Sequence, residues 1–362
     1  MNPIDPKHYS KILVRGTNWV GDAVMSIPAL REIRRIFTHA QISLLVRSWV
    51  KDVYARADFV DRVLEFDNYG RHAGWSGRRR LASELQSEGF ELAILLQNAF
   101  EAALIAWRAR IPRRLGYARD ARGLLLTDAC RIEPGVRKVH QAFYYLGILH
   151  GAGLLPTPPW KVAGYPLSAR IGVTETDRDF ARAMMRAGGV KQGQLVITLN
   201  AGASYGGAKR WLTDRYAFVA DELTRRYEAR VILVGAPAES GIAYEIGRQM
   251  SSPPAILTGK TTLGQLMGVL ELSSLLVTND SGPMHLAAAL DVPQVAIFGS
   301  TSETATGPLG DRAEIVKHPV DCNPCFLREC PIDFRCMIGV TSDMVLSAAI
   351  RKLEGSGRRF EE

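Results

Sequence analysis

Residues 12–30, ILVRGTNWVGDAVMSIPAL, constrain the fold more than any other stretch, because they join a strand, a loop and a helix in one unit. Ile12, Leu13 and Val14 make a short buried strand, and Gly16 frees the backbone to turn. Over residues 23–37 the apolar positions Val24, Ile27, Leu30, Ile33 and Ile36 recur at helical spacing. Asp22, directly after Gly21, sets one carboxylate at the start of that helix. There it either caps free backbone N–H groups or faces a ligand above the carboxyl end of the strand.

The same alternation runs through the chain. Strands are expected at 42–46, 62–66 and 92–96, with helices at 78–89, 99–110 and 139–150. A proline-rich stretch, LPTPPWKVAGYP at 155–166, then breaks the pattern and reads as a linker. Beyond it come a helix at 175–186 and strands at 195–199, 231–234, 275–278 and 295–298. Helices are expected at 213–227, 238–250, 262–270 and 284–289. Alternation of this kind means parallel sheets covered by helices. The 362 residues exceed one ordinary domain, so two doubly wound α/β domains are expected, with a ligand in the cleft between them. Residues 342–353 form a closing helix, and the tail GSGRRFEE should fray.

Charge is unevenly placed. Residues 1–165 carry 24 Lys+Arg against 15 Asp+Glu, and the remainder carry 21 against 22. The first half, with Arg78–Arg80 and Arg108, Arg110, Arg113 and Arg114, suits an anionic partner such as a phosphorylated substrate or an acidic membrane surface. Nucleic acid fits less well, since the basic residues are not interleaved with stacking aromatics. No apolar run has the length of a membrane span, and the first residues lack a secretory core, so a cytoplasmic protein is expected. Cys322, Cys325, Cys330 and Cys336 follow C-x2-C-x4-C-x5-C, a spacing that admits tetrahedral zinc and equally a set of buried thiols or a redox-labile pair.

Three loops in the second half carry anion-binding chemistry. In LLVTNDSGPMHLAAAL a strand ends at Asn279-Asp280-Ser281-Gly282, and Pro283 opens a helix whose free N–H groups, near His285, suit an anion. A later strand ends at Phe298-Gly299-Ser300-Thr301. In TLNAGASYGGAKRW a small-residue loop leads to Lys209, a mobile positive charge.

Together, RGTNWVGDAVMSIPAL, GASYGGAKRW, NDSGPMHLAAAL with FGST, and CNPCFLRECPIDFRC resemble the ADP-heptose–lipopolysaccharide heptosyltransferases over residues 12–337. The cysteine-rich segment favours the heptosyltransferase II branch over its first-heptose paralogue. The resemblance implies a GT-B fold, with two Rossmann-like doubly wound domains facing a central cleft. Its parts are an acceptor domain at 1–165, an ADP-sugar domain at 166–341, and a helix and tail at 342–362. It matches Asp22 to the family's GD aspartate, the proposed base, and Lys209 to the lysine that meets the donor phosphates. Asp280, Ser281, Gly282 and His285 fall on the segment lining the donor site, and Ser300 and Thr301 on the stretch after the FG pair. Within GASYGG the hydroxyl candidate is Ser204. Asn18, Trp19 and Gly21 are acceptor-side candidates, with Trp19 and Trp49 either sugar platforms or core.

The expected reaction is inverting transfer of heptose from ADP-heptose to a heptosyl-Kdo2-lipid A core at the cytosolic face of the inner membrane. Asp22 takes the acceptor proton, and Lys209 with the N–H groups at Pro283 holds the departing diphosphate. No cofactor is required, and neither loop region shows a DxD-like metal pair. Competing readings are a sister transferase with another acceptor or nucleotide sugar, an epimerase of similar tandem architecture, and a non-catalytic lipid- or nucleotide-binding protein.

Overall fold

A computed structural model describes residues 3–361, and the chain divides between Ala169 and Arg170 into two compact units. The first unit holds β1 (Lys11–Arg15), β2 (Gln41–Arg47), β3 (Arg62–Phe66), β4 (Leu92–Leu95), β5 (Arg113–Tyr117) and β6 (Asp128–Cys130). They form one parallel sheet in the order β3-β2-β1-β4-β5-β6. Its helices are α1 (Val20–Met25), α2 (Ile27–Ile36), α3 (Gly74–Glu88), α4 (Phe100–Arg108) and α5 (Gln141–Gly151).

The second unit opens with α6 (Glu175–Ala187) and holds β7 (Val196–Asn200), β8 (Arg230–Leu233), β9 (Ala255–Ile256), β10 (Leu275–Asn279), β11 (Gln294–Phe298) and β12 (Ala313–Lys317). Their order is β12-β11-β10-β7-β8-β9, again all parallel. The helices are α7 (Thr213–Tyr227), α8 (Ser240–Gln249), α9 (Leu263–Glu271), α10 (Gly282–Ala289), α11 (Glu303–Thr306), α12 (Arg335–Ile338) and α13 (Ser342–Glu354). In both sheets the first and fourth strands lie side by side, β1 by β4 and β7 by β10, and the order reverses there. Loops leaving such neighbours part to opposite faces and leave a crevice at the strands' carboxyl ends. The central strands are buried on both faces, which is why they read as unbroken apolar runs.

Several elements differ from the sequence expectation. The helix expected at 23–37 starts at Val20 and breaks at Ser26, because Pro28 has no N–H to continue the ladder. Ser26 instead donates its N–H to the carbonyl of Asp22 at 2.9 Å and its hydroxyl to that of Ala23 at 2.8 Å. The strands β5, β6, β9 and β12 were not expected. β6, β9 and β12 are edge strands with short or interrupted apolar patterns, and β5, an inner strand, begins with two arginines. Arg113 forms an ion pair with Asp128 of β6, and Arg114 donates to the carbonyls of Ile111 at 2.6 Å and Leu125 at 2.7 Å. These two arginines are therefore internal fastenings, not part of a free basic surface.

The tail does not fray over its described residues. Phe360 is fully buried and exchanges backbone hydrogen bonds with Gly193 and Gln194, and Arg358 donates to the Asp291 carbonyl at 2.8 Å. Burial of one aromatic ring offsets the ordering of that short segment. Helix α13 packs on α7, β11 and β12, inside the second unit. No helix among the described residues is long and apolar enough to cross a membrane.

Candidate functional site

In the first unit the loop after β1 delivers Asp22 to the first turn of α1, whose N-cap is Trp19 and carries no side-chain cap bond. The carboxylate is bonded from another direction: Tyr145 of α5 donates its phenol proton to Oδ1 at 2.8 Å. Tyr145 is buried, and burial with the adjacent Asp22 charge pushes its phenol well above the ordinary tyrosine range. The loop is braced from beneath by Arg15, which donates to the Gly16 carbonyl at 2.5 Å and to Asn18 Oδ1 at 2.8 Å. Burial, then the neighbouring Arg47 charge, brings the Arg15 guanidinium down to about 9. Arg47 and Arg78 both pair with Glu101, and Arg47 stacks on Phe66 at 3.8 Å.

Of the acceptor-side candidates, Asn18 is engaged at both ends, since its carbonyl also accepts the Trp49 indole N–H at 2.7 Å. Trp19 is 64% exposed, and Trp49, 42% exposed, leans on Tyr69 at 5.9 Å, so neither is core. Gly21 lies within α1.

In the second unit three loops meet at one carboxylate. Asp280, at the end of β10, accepts from Lys209 Nζ at 2.6 Å and from the Thr301 hydroxyl at 2.6 Å, both on Oδ2. Those partners come from the loops after β7 and β11, the strands flanking β10. Asn279 reinforces the junction: its amide donates to the Ala201 carbonyl at 2.8 Å, and its Oδ1 accepts from the Trp211 N–H and the Tyr216 hydroxyl. Ser281, the N-cap of α10, donates to Asn200 Oδ1 at 2.8 Å, and Gly282 begins the helix. His285 is buried in α10, and Ser300 Oγ is buried without a hydrogen-bond partner among the described residues. Ser204 is exposed and outside this junction.

The cysteine-rich segment has a role that its spacing did not reveal. Arg328 accepts the Ala208 N–H on its carbonyl at 2.9 Å, Glu329 accepts the Gly207 N–H at 2.9 Å, and Tyr205 donates to the Phe326 carbonyl at 2.8 Å. Phe326 donates its N–H to the Ser300 carbonyl at 2.7 Å, and the Asn323 amide donates to that of Gly299. The segment thus clamps the loops that carry Lys209 and Thr301. Cys322, Cys325, Cys330 and Cys336 are free thiols, with burial raising Cys336. No group of three or more His, Cys, Asp or Glu among the described residues is arranged to hold a metal ion.

Tyr145, Asn200, Tyr205, Arg328 and Glu329 escaped sequence reasoning, and Asn279 was read only as the end of its strand. The two asparagines left a trace, as buried polar residues ending otherwise apolar strands; the others left none.

Residues 78–334 match the family glycosyltransferase family 9 (heptosyltransferase). The lipopolysaccharide heptosyltransferase 2 of Salmonella typhimurium is 31% identical over 322 residues, 85% of this chain and 88% of that protein. The lipooligosaccharide heptosyltransferase 2 of Campylobacter jejuni is 26% identical over 96% of this chain and 99% of its own. The solved structure of Escherichia coli ADP-heptose lipopolysaccharide heptosyltransferase II aligns with a TM-score of 0.80 and 26% identity, covering 95% of this chain and 99% of that one. A family 9 glycosyltransferase of Veillonella parvula shares the fold at a TM-score of 0.82 and 24% identity, over 96% and 98% of the two chains. The tandem α/β architecture is therefore that of the GT-B heptosyltransferases. The chain belongs to glycosyltransferase family 9, the heptosyltransferases, and is a glycosyltransferase.

Proposed function

We propose that this enzyme transfers L-glycero-D-manno-heptose from ADP-heptose to the heptosyl-Kdo2-lipid A core of lipopolysaccharide, with inversion at the anomeric carbon. The observation that carries the reading is Asp22: a carboxylate held by a buried tyrosine beside the switch point of the first sheet. The acceptor hydroxyl attacks the anomeric carbon and gives its proton to Asp22. The bond from that carbon to the diphosphate oxygen breaks, and its electron pair leaves with ADP. Lys209 and the N–H groups opening α10 meet the departing charge, so the reaction needs no cofactor or divalent metal. Ser204, Asp280, Ser281, Gly282, His285, Ser300 and Thr301 complete the donor side in this reading, and Trp19 and Gly21 face the acceptor.

The acceptor side is the first domain, and it works at the cytosolic face of the inner membrane as a peripheral protein. Charge supports this, with 24 Lys+Arg against 15 Asp+Glu over residues 1–165. The surface of α4 supports it too, because Phe100, Leu104 and Trp107 follow one helical stripe, and Arg108 stacks on exposed Trp75 at 4.9 Å.

The deciding test is incubation with ADP-heptose and purified heptosyl-Kdo2-lipid A, reading product mass for wild type, Asp22→Ala and Asp22→Asn. One added heptose with wild type is expected, and loss of transfer with nearly unchanged ADP binding in both variants. Parallel loss of transfer and ADP binding would reduce Asp22 to a structural role. A changed sugar without transfer would point to an epimerase.

A further inference from the structure

Tyr145 stands 123 residues from Asp22 in sequence, yet its phenol meets that carboxylate at 2.8 Å. The ring is 3% exposed and cannot wander: Tyr144 meets it edge to face at 5.8 Å, and α5, which carries both, packs on α2. Gln141, one turn earlier on the same face of α5, also bonds the phenol in the sense that favours its ionised form, as an N–H donor to the oxygen does, which leaves the phenol proton for Asp22. A phenol raised far above its ordinary range keeps that proton wherever an enzyme works, so the donor does not switch off with pH. Tyr54 also borders this cluster: its hydroxyl donates to the Ala23 carbonyl at 3.3 Å, with the Arg15 and Asp22 charges nearby, and it too is raised by burial and stays neutral.

We propose that Tyr145 is a positioning residue for the transfer reaction: its phenol, aimed by Gln141, holds the Asp22 carboxylate ionised and in one orientation toward the acceptor hydroxyl. The proposal rests on Asp22 being the base. A donor to the charged form of a carboxylate stabilises that form, and a fixed orientation removes the search among rotamers before attack. In the reaction the acceptor proton passes to Asp22, while the phenol keeps its own.

The test measures kcat and KM against pH for Tyr145→Phe, Asp22→Asn and the double variant, with thermal midpoint and ADP affinity as controls of folding. Tyr145→Phe should lower kcat by about 10- to 100-fold, the scale of a misplaced reacting group, and leave KM for ADP-heptose unchanged. Its acid limb should move to higher pH, because Asp22 then protonates more readily. In the Asp22→Asn background the same change should cost nothing further. Gln141→Ala, which keeps the phenol but loses its aim, should shift the acid limb in the same direction by less, and it decides the matter if Tyr145→Phe does not fold. A folded Tyr145→Phe with wild-type kcat and acid limb overturns the proposal while leaving Asp22 as base. Equal losses with and without Asp22 overturn it as well. An Asp22→Asn enzyme with wild-type turnover removes the base assignment and the positioning role together.

Discussion

Nζ of Lys209 and Oδ2 of Asp280 lie 2.6 Å apart, with side chains only 13% and 4% exposed. The lysine expected to face a diphosphate therefore also neutralises a buried carboxylate. Removing it leaves Asp280 with an uncompensated charge, a change worth about 3 kcal/mol in buried pairs. Lys209→Ala should thus lower stability in urea and weaken ADP binding. Lys209→Ala/Asp280→Asn should regain most of the stability but not the ADP affinity. ADP binding as tight as wild type in either variant would take Lys209 out of the donor site.

Gly206 faces backbone that cannot yield: a Cβ there would lie 2.3 Å from the carbonyl oxygen of Arg328. Gly206→Ala must push the 205–209 loop off the cysteine-rich segment, at a cost of about 1–3 kcal/mol for overpacking. The expected result is a lower thermal midpoint and a raised KM for ADP-heptose, since Lys209 moves with the loop. Unchanged donor kinetics would show that the clamp does not matter to the site.

Arg113 and Asp128 link β5 to β6, with Nε to Oδ2 at 3.1 Å. Burial alone would raise the Asp128 carboxyl, but the hydrogen bonds from Arg113 and Thr127, with the Arg113 charge, together outweigh it and hold the group below the ordinary range. A carboxyl depressed in the folded state adds stability above its unfolded value and loses it as pH falls through the folded one. Arg113→Met strands Asp128 and should cost about 3 kcal/mol at neutral pH. That deficit should shrink below about pH 4, where the unfolded carboxyl protonates. Urea titrations at several pH values check this; a deficit independent of pH would assign the loss to packing.

Trp75 and Trp107 are 64% and 51% exposed on the α3–α4 face. If that face meets a bilayer, each tryptophan contributes about 1.5 kcal/mol, or about tenfold in partitioning. Sedimentation with anionic vesicles should show that loss for Trp75→Ala and Trp107→Ala, and weaker binding of wild type at high salt. Wild-type protein that stays in the supernatant at low ionic strength would remove the membrane from the account.

The readable parts of the sequence were those where one physical signal dominates. Central strands such as β1 and β10 stood out because both faces are buried, and Gly21-Asp22 and Asp280–Gly282 stood at strand-to-helix turns. Pro28 was legible as a residue without a donor, yet its cost to the helix was masked by the periodicity of Val24, Ile27 and Leu30. Strands β6 and β9 were silent because they are three and two residues long and take their pairing from neighbours. Phe360 was read as part of a polar tail, since nothing near it in sequence announces the pocket it fills.

By itself the sequence determined the alternation of strands and helices, the two α/β domains and the loops that bear Asp22, Lys209 and Asp280. These follow from periodicity and turn chemistry, which act over a few residues. Only the tertiary structure decided the partners: Tyr145 on Asp22, Thr301 and Lys209 on one oxygen of Asp280, and Arg328 against Gly206. A hydrogen bond between groups far apart in the chain has no local signature, because its geometry exists only once the sheet order has brought two loops to the same edge.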